Sequence, residues 1–302
     1  MKDLACLCGN RHDVSVVYEQ NFSESLLTPA VFTARGKHDY DKDHWHYRIV
    51  RCRRCGQLFS TPILEAERIA ALYRDSPQSY AEEGANIVRS YLRPLGRWLG
   101  LLPSRDRAVE IGCGHGAVLG ALRNLGFAQV TGIEPSEDAA CRADDAIRPL
   151  IRTEMFEAGR FPPSSVDLVC AFQVLDHFSD PLQVLGDVLN ILKPGGLCYV
   201  IIHNERALQV KLFGERSPII DVSHVYYFNP GTLRQTFERT GFQVLDRMQI
   251  WNAYSLRTWF RMLPVPGKDR ILRFLERSSL GTVTLSIPAG NIGLIARKRA
   301  GT

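Results

Sequence analysis

Three glycines at alternate positions constrain this chain more than any other feature. They are Gly112, Gly114 and Gly116, which follow a short apolar stretch at 108–111 and precede a stretch of helical character at 117–122. A strand that ends in a glycine turn and enters a helix forms a crevice for a nucleotide-like ligand. Glycine allows the backbone to turn tightly beside that ligand, and the helix N-terminus presents N–H groups to its polar atoms.

Two acidic residues accompany this turn. Glu110 completes the pattern E-x-G-x-G-x-G at 110–116, and Glu134 ends a second predicted strand at 129–134. Glu134 follows the glycines by about 20 residues, where a carboxylate that binds ribose hydroxyls is expected. The glycines also satisfy the dinucleotide pattern G-x-G-x-x-G/A, so nicotinamide and adenosyl ligands both fit this part of the sequence.

Three later segments separate these two interpretations. A buried-strand pattern at 165–172 leads into Q-V-L-D-H-F-S-D-P at 173–181, and L-N-I-L-K-P-G-G at 189–196 ends a helix before another strand. Together with the glycine motif, this order resembles the class I S-adenosylmethionine-dependent methyltransferases over residues 84–245, with a last strand at 291–298. The resemblance implies an α/β fold: a Rossmann-like sheet of seven strands, mostly parallel, with helices on both faces.

The resemblance also implies which residues bind S-adenosylmethionine. In that family the glycine loop holds the methionine part, the acid after the second strand binds the ribose, and the end of the fourth strand flanks the sulfonium. The matching positions in this chain are Glu110, Gly112, Gly114, Gly116, Glu134, Phe172 and Gln173.

Two histidines are the candidate catalytic residues. His224 lies in an H-x-x-Y-F phrase that resembles the loop before the penultimate helix of the family, and His177 matches a common Asp-His pair. The donor is already activated, so a general base helps only where the acceptor must lose a proton. Some sugar C-methyltransferases carry a further histidine where this chain has Val222, and this departure counts against C-methylation of a keto-sugar.

Two cysteine pairs, each followed by glycine, flank an insert near the start of the chain. Thiolates in two such turns suit a tetrahedral structural zinc, and we predict one zinc per chain on Cys6, Cys8, Cys52 and Cys55. The first pair is one residue shorter than C-x-x-C, which leaves a histidine as an alternative ligand: His12, His38, His44 or His46. Such a front segment, followed by a stretch bearing Tyr73 and Tyr80, resembles bacterial methyltransferases of sugar and secondary-metabolite pathways.

Composition and charge exclude several other classes. No apolar run reaches the about 18 residues of a transmembrane helix, and the N-terminus lacks the apolar core of a signal peptide. Eight cysteines without such a signal favour reduced thiols in the cytoplasm. The net charge of +5 comes with no dense basic stripe, so nucleic acid is not the favoured partner.

The patterns divide the chain into three parts. We expect a zinc-ribbon-like segment at 1–62, a helical connector at 63–102 and the donor-binding domain at 103–302. One amphipathic helix over 84–101, kinked at its proline, is expected in the connector. Inside the donor-binding domain we expect a helical insert at about 251–289 that packs on the sheet, covers an apolar acceptor or joins a homodimer. Because arginines border its apolar stripe, contact with a membrane surface is a further alternative.

The sequence therefore predicts a cytoplasmic S-adenosylmethionine-dependent methyltransferase that acts on a small molecule. O-methylation of a sugar or secondary metabolite is the favoured reaction. The alternatives are an RNA-base methyltransferase, because front zinc ribbons also occur in some of those, and a non-catalytic scaffold that binds the donor. An oxidoreductase is the more distant alternative.

Overall fold

The computed structural model describes residues 1–32, 44–75, 84–263 and 267–300. Strands and helices alternate through most of these ranges. The strands are β1 Val14–Tyr18, β2 Ile49–Cys52, β3 Leu58–Ser60, β4 Arg107–Ile111, β5 Gln129–Ile133, β6 Ile151–Arg152, β7 Val166–Phe172, β8 Leu192–His203, β9 Tyr226–Tyr227, β10 Gln243–Ser255 and β11 Thr284–Arg297. The α-helices are α1 Pro29–Phe32, α2 Ala66–Arg74, α3 Gly84–Leu92, α4 Ala117–Asn124, α5 Glu137–Cys141, α6 Pro181–Ile191, α7 Leu208–Phe213, α8 Pro230–Arg239, α9 Leu256–Met262 and α10 Asp269–Arg277.

The larger sheet confirms the predicted fold. Its seven strands run in the order β10-β11-β8-β7-β4-β5-β6. The strands from β4 to β8 pair in parallel, whereas β11 is antiparallel to both β8 and β10. Because parallel strands are joined by helices, both faces of such a sheet are covered and its strands are continuously apolar.

Strand β7 lies at the centre of this sheet and shows why the sequence folds this way. All seven of its residues are buried. Val169 and Ala171 pack into one apolar cluster, and Cys170 and Phe172 pack into the cluster on the opposite face. This alternation follows from the two-residue period of a strand, and it directs the end of β7 toward the edge where the glycine turn lies.

A smaller antiparallel sheet joins the cysteine segment to the main domain. Its order is β1-β2-β3-β9, and β3 pairs with β9 through Leu58↔Tyr227 and Phe59↔Tyr226. Val50 and Phe59 belong to the same apolar cluster as Val169. The cysteine segment therefore packs directly on one face of the large sheet, beside the loop that contains His224.

Two sequence predictions about helices are wrong in detail. The stretch predicted as one kinked helix is α3 followed by a separate 3₁₀ helix, Pro94–Leu101, because proline lacks the N–H that would continue the α-helical ladder. The insert predicted as helical at 251–289 begins and ends as the extended hairpin of β10 and β11, with α9 and α10 at its tip. Val283, Leu285 and Ile287 alternate with polar residues, which is the period of a strand.

Within the described ranges, none of the helices has both the length and the apolar character needed to cross a bilayer.

Candidate active site

The glycine turn after β4 has the geometry that its sequence predicts. Gly112, Gly114 and Gly116 have φ angles of +70°, +54° and +78°, which favour glycine. A Cβ at Gly112 would lie 2.8 Å from Val174 Cγ2, whereas a Cβ at Gly114 would meet nothing within 4 Å. The loop is therefore packed on one side by the segment after β7 and is open at its middle.

Glu134, at the end of β5, is held against this loop. One carboxylate oxygen accepts the backbone N–H of Gly114 at 2.9 Å, and the other accepts that of Ser136 at 2.9 Å. The residue is buried, with 7% of its surface exposed. A carboxylate fixed in this way beside the glycine turn can accept hydrogen bonds from vicinal hydroxyls.

Glu110 is a second buried acid, at the end of β4. Burial raises its pKa well above the ordinary range, and the negative charge of Glu134 raises it further. Among the described residues, the structure gives no hydrogen-bond partner to Oε2 of Glu110. Two acids that repel each other in a buried crevice form an electrostatic environment that favours a cationic ligand.

Phe172 and Gln173 continue the crevice at the end of β7. Gln173 has a φ of +56°, a conformation that non-glycine residues adopt rarely and mostly at functional positions. Its Nε2 donates to the hydroxyl of Tyr91 at 3.3 Å, and Oε1 has no hydrogen-bond partner in the described part of the chain. Phe172 packs between Tyr91 and Tyr199; the sequence analysis did not assign Tyr91 to the site.

Directly beyond this crevice, both candidate catalytic histidines surround one carboxylate. Nε2 of His177 lies 3.7 Å from Oδ1 of Asp176, and Nε2 of His224 lies 3.8 Å from Oδ2. The two imidazole rings are 4.7 Å apart. The side chains of His177 and His224 are only 8% and 4% exposed, so charges there interact more strongly than in water.

Backbone carbonyls fix the orientation of both imidazoles. Nδ1 of His224 lies 2.8 Å from the carbonyl oxygen of Ile219, and Nδ1 of His177 lies 2.9 Å from that of Ser223. Because a carbonyl oxygen only accepts hydrogen bonds, we assign a hydrogen to Nδ1 in each ring. The Nε2 atoms then face Asp176, and each can take up a proton.

The residues of this cluster come from distant parts of the chain. The hydroxyl of Tyr73, on α2, lies 2.5 Å from Nδ1 of His177. Asp176 and His177 belong to a short 3₁₀ helix that follows β7, and the carbonyl of Asp176 accepts the N–H of Val225 at 2.8 Å. Ser60, at the end of β3, donates its hydroxyl to the carbonyl of His224 at 3.2 Å. The smaller sheet therefore helps to position His224.

The four predicted cysteines form a separate cluster. Sγ of Cys6 lies 3.3 Å from that of Cys55, Sγ of Cys8 lies 3.7 Å from that of Cys52, and all four lie within 4.8 Å of one another. A tetrahedral zinc with Zn–S bonds of about 2.3 Å separates its sulfur ligands by about 3.8 Å. The glycine after each pair, Gly9 or Gly56, has a positive φ.

Burial and local hydrogen bonds act differently on the thiols of this cluster. Burial raises the pKa of Cys52, but hydrogen bonds from the Asn10 side chain and from the backbone N–H groups of Cys55 and Arg54 lower it to about 6. In Cys6 and Cys55 burial prevails and the pKa is raised. The alternative histidine ligands do not join the cluster among the described residues: His46 instead contacts Glu215 at 2.8 Å. His38 lies outside those residues, as does Tyr80.

The fold and the crevice together define a class of protein. A parallel sheet whose carboxyl edge carries a glycine turn, a fixed acid and a cation-compatible pocket is a Rossmann-like enzyme that binds a nucleoside cofactor. Residues 80–247 match the family model described as a methyltransferase domain, and the chain belongs to that family. Its residues 80–247 are thus a methyltransferase domain of that family.

Individual relatives are similar over part of the chain. The 27-O-demethylrifamycin SV methyltransferase of Amycolatopsis mediterranei is 32% identical over 124 residues, which cover 38% of this chain and 46% of that protein. The 2-methyl-6-phytyl-1,4-hydroquinone methyltransferase of a Synechocystis species is 29% identical over 204 residues, 62% of each chain. The chain spans about half the length of the first of these curated relatives.

One solved structure is similar in fold. It is a complex between the Trm112 methyltransferase activator of Haloferax volcanii and a methyltransferase, with a TM-score of 0.51 and 19% identity. The match covers 73% of this chain and 94% of that chain.

Proposed function

We propose that this enzyme transfers a methyl group from S-adenosylmethionine to a hydroxyl group of a small molecule, a sugar or a secondary metabolite. The observation that carries the proposal is the segment 172–177. Its first half packs against the glycine turn through Val174, and its second half supplies Asp176 and His177 to the histidine cluster. The donor would bind beside the first half of this segment and the acceptor beside its second half, so the two would be neighbours.

The crevice provides groups that fit each part of the donor. Glu134 would accept the ribose hydroxyls, and the open middle of the glycine turn, Gly112 to Gly116, would hold the methionine portion. Glu110, Phe172 and Gln173 would surround the positive charge of the donor, which supports the fit because Glu110 is a buried acid beside another acid. The bound donor supplies a methyl group already activated by the sulfonium.

The histidine cluster provides proton transfer. The acceptor hydroxyl would lose its proton to Nε2 of His224, its oxygen would form the new bond to the methyl carbon, and the sulfur would leave with the electron pair of the broken bond. Asp176, at 3.8 Å, would stabilise the imidazolium of His224. His177, oriented by Tyr73, would position the acceptor by a hydrogen bond.

The cysteine cluster would hold one structural zinc. Four thiols at tetrahedral spacing support this, and we also propose the cytoplasm, where such thiols stay reduced, as the compartment. The metal would fix the turn before β3, and β3 pairs with β9 beside His224. We also propose the boundaries 1–62, 63–102 and 103–302 for the ribbon, connector and donor-binding parts.

We further propose a homodimer that forms through the tip of the hairpin of β10 and β11. Helix α10 exposes Ile271 and Phe274, at 45% and 59%, on a face that a second copy could cover. Light scattering of the wild type and of Phe274→Ser tests this directly. A single monomeric mass for the wild type would contradict it.

Incubation with methyl-labelled donor tests the function. Purified protein and labelled S-adenosylmethionine are added to fractionated cell extract, and products are separated by mass. We expect label in a low-molecular-mass fraction, bound as a methyl ether that resists mild acid. Label in RNA, together with salt-dependent RNA gel shifts, would favour the RNA-base methyltransferase instead. Donor binding without any release of S-adenosylhomocysteine would favour the scaffold.

A further inference from the structure

A basic cleft lies beside the histidine cluster and has no role in the donor pocket. Its volume is about 470 Å³, it opens to solvent, and it is lined by Arg51, Glu205, Arg206, Val210 and Lys211. Three cationic side chains face one carboxylate, which leaves two positive charges in excess. An opening of this sign concentrates anionic ligands.

The single carboxylate of the cleft holds two of its cationic side chains in place but does not cancel their combined positive charge. Glu205 is buried, with a side chain 4% exposed, and its two oxygens accept hydrogen bonds from Arg51 at 3.4 and 3.2 Å. Nε of Arg206 donates to the same carboxylate at 3.2 Å. Both guanidinium groups are thereby held by one carboxylate, while the side chain of Arg206 remains 61% exposed.

Lys211 completes the cationic lining from α7. Its ammonium has no ion-pair or hydrogen-bond partner within the ranges that the structure describes. An oriented guanidinium pair beside an ammonium is a donor set that matches phosphate oxygens.

The cleft is connected to the acceptor side of the enzyme. The ring of His203 lies 5.4 Å from that of His224, and Arg206 follows three residues later, a distance of at most about 10 Å along the chain. Glu205 also donates its N–H to the carbonyl of Phe228 at 2.8 Å and accepts the side chain of Asn229 at 3.0 Å. The cleft and His224 are thus attached to the two ends of the loop 224–229.

We propose that this cleft binds a diphosphate group carried by the acceptor, so that the methylated compound is a diphosphate ester of a small molecule. Two excess positive charges match the two negative charges of a diphosphate diester. The ring contact of His203 with His224 and the three-residue step from His203 to Arg206 place the diphosphate and the hydroxyl that reacts within reach of one small acceptor. This inference rests on the proposed function, because only a methyltransferase would have the ligand of this cleft as its methyl acceptor.

Calorimetry with three probes tests the proposal. Inorganic pyrophosphate, uridine diphosphate and thymidine diphosphate are titrated into the full chain in the presence of saturating S-adenosylhomocysteine. The matched variants are the double charge reversal Arg206→Glu with Lys211→Glu, and Arg234→Glu on α8, where Arg234 is 51% exposed and also paired with a glutamate. We expect pyrophosphate to bind the wild type and Arg234→Glu equally, and the double variant at least about tenfold more weakly.

The outcomes separate this inference from the proposed function. Tighter binding of a nucleoside diphosphate than of pyrophosphate would support a nucleotide-linked acceptor, and equal binding would support a diphosphate recognised alone. No heat from any probe, or equal affinity in the double variant, would overturn the inference while S-adenosylhomocysteine binding stays intact. Loss of S-adenosylhomocysteine binding in the wild type would instead contradict the proposed function.

Discussion

The donor pocket and the histidine cluster are neighbours, but the chain builds them in different ways. The hydrogen bond that ties the glycine turn to Glu134 joins residues 20 positions apart. The contacts that orient the histidines join Tyr73 to residues 104 and 150 positions away. The glycine turn and Glu134 are therefore a local product of two adjacent parallel strands, whereas the histidine cluster requires the smaller sheet to pack on the larger one. We therefore expect that a variant can lose methyl transfer at the histidine cluster and still bind the donor.

Removal of the zinc should produce the largest effect. Cys8→Ser with Cys55→Ser, or chelation, would release the turn before β3 and with it the β3–β9 pairing. Since even about 1 Å of misplacement can cost about 100-fold in rate, we expect methyl transfer to fall below detection while donor affinity changes little. Metal analysis, calorimetry and transfer assays check this.

Cys141→Ser is the matched control for that experiment, because Cys141 is an exposed cysteine outside the cluster. It should retain one zinc and full activity. A folded wild-type protein without zinc, or a zinc-free variant with normal transfer, would contradict the structural role of the cysteine cluster.

His224→Ala should have the next largest effect. Loss of a general base costs about 10²- to 10⁴-fold in kcat, and the donor pocket should change little because Glu134 and Val174 hold the glycine turn. His12→Ala, at an exposed position, is the control. If turnover by His224→Ala stayed near that of the wild type, positioning alone would account for the reaction.

Much of the donor pocket could be predicted from the sequence, and less of the histidine cluster. The features that predict the pocket can each be recognised within one turn or one strand of the sequence: the glycine spacing, Glu134 and the buried strands. Asp176 lies next to His177 in the sequence, but its position between two imidazoles depends on the β3–β9 pairing. That pairing uses a two-residue strand, Tyr226–Tyr227, which is too short to show any period.

The outer part of the hairpin of β10 and β11, at 251–255 and 284–289, was missed for a related physical reason. Its apolar residues at 283–287 alternate with period two, but the neighbouring α10 carries a strong helical pattern among arginines. Only the pairing of Asn252 with Ile287 and of Tyr254 with Leu285 makes the segment a strand.

Glu134→Ala should weaken donor binding by about 10- to 100-fold, because hydrogen bonds to a charged group contribute about 1.5–3 kcal/mol. The variant also frees the N–H groups of Gly114 and Ser136. Zinc content should stay at one per chain. Glu238→Ala, on the exposed face of α8, serves as the control; unchanged donor affinity in Glu134→Ala would remove the ribose assignment.

Donor affinity should also depend on pH through Glu110, and this is the smallest of the four effects predicted here for zinc, His224, Glu134 and Glu110. Burial, reinforced by Glu134, raises the pKa of Glu110, so the carboxyl is neutral at low pH and gains its negative charge as pH rises. A cationic donor prefers the charged form, and affinity should therefore rise with pH by at most about tenfold per pH unit. Calorimetry at several pH values should show this rise in the wild type and a flat profile in Glu110→Gln.

Titration of S-adenosylmethionine into zinc-loaded protein, and into the same protein after chelation, tests the separate construction of the two sites most directly. We predict one donor bound per chain in both samples, with similar affinity, and methyl transfer only in the first. Absence of binding heat in the zinc-loaded sample, or loss of donor binding together with the metal, would contradict the account.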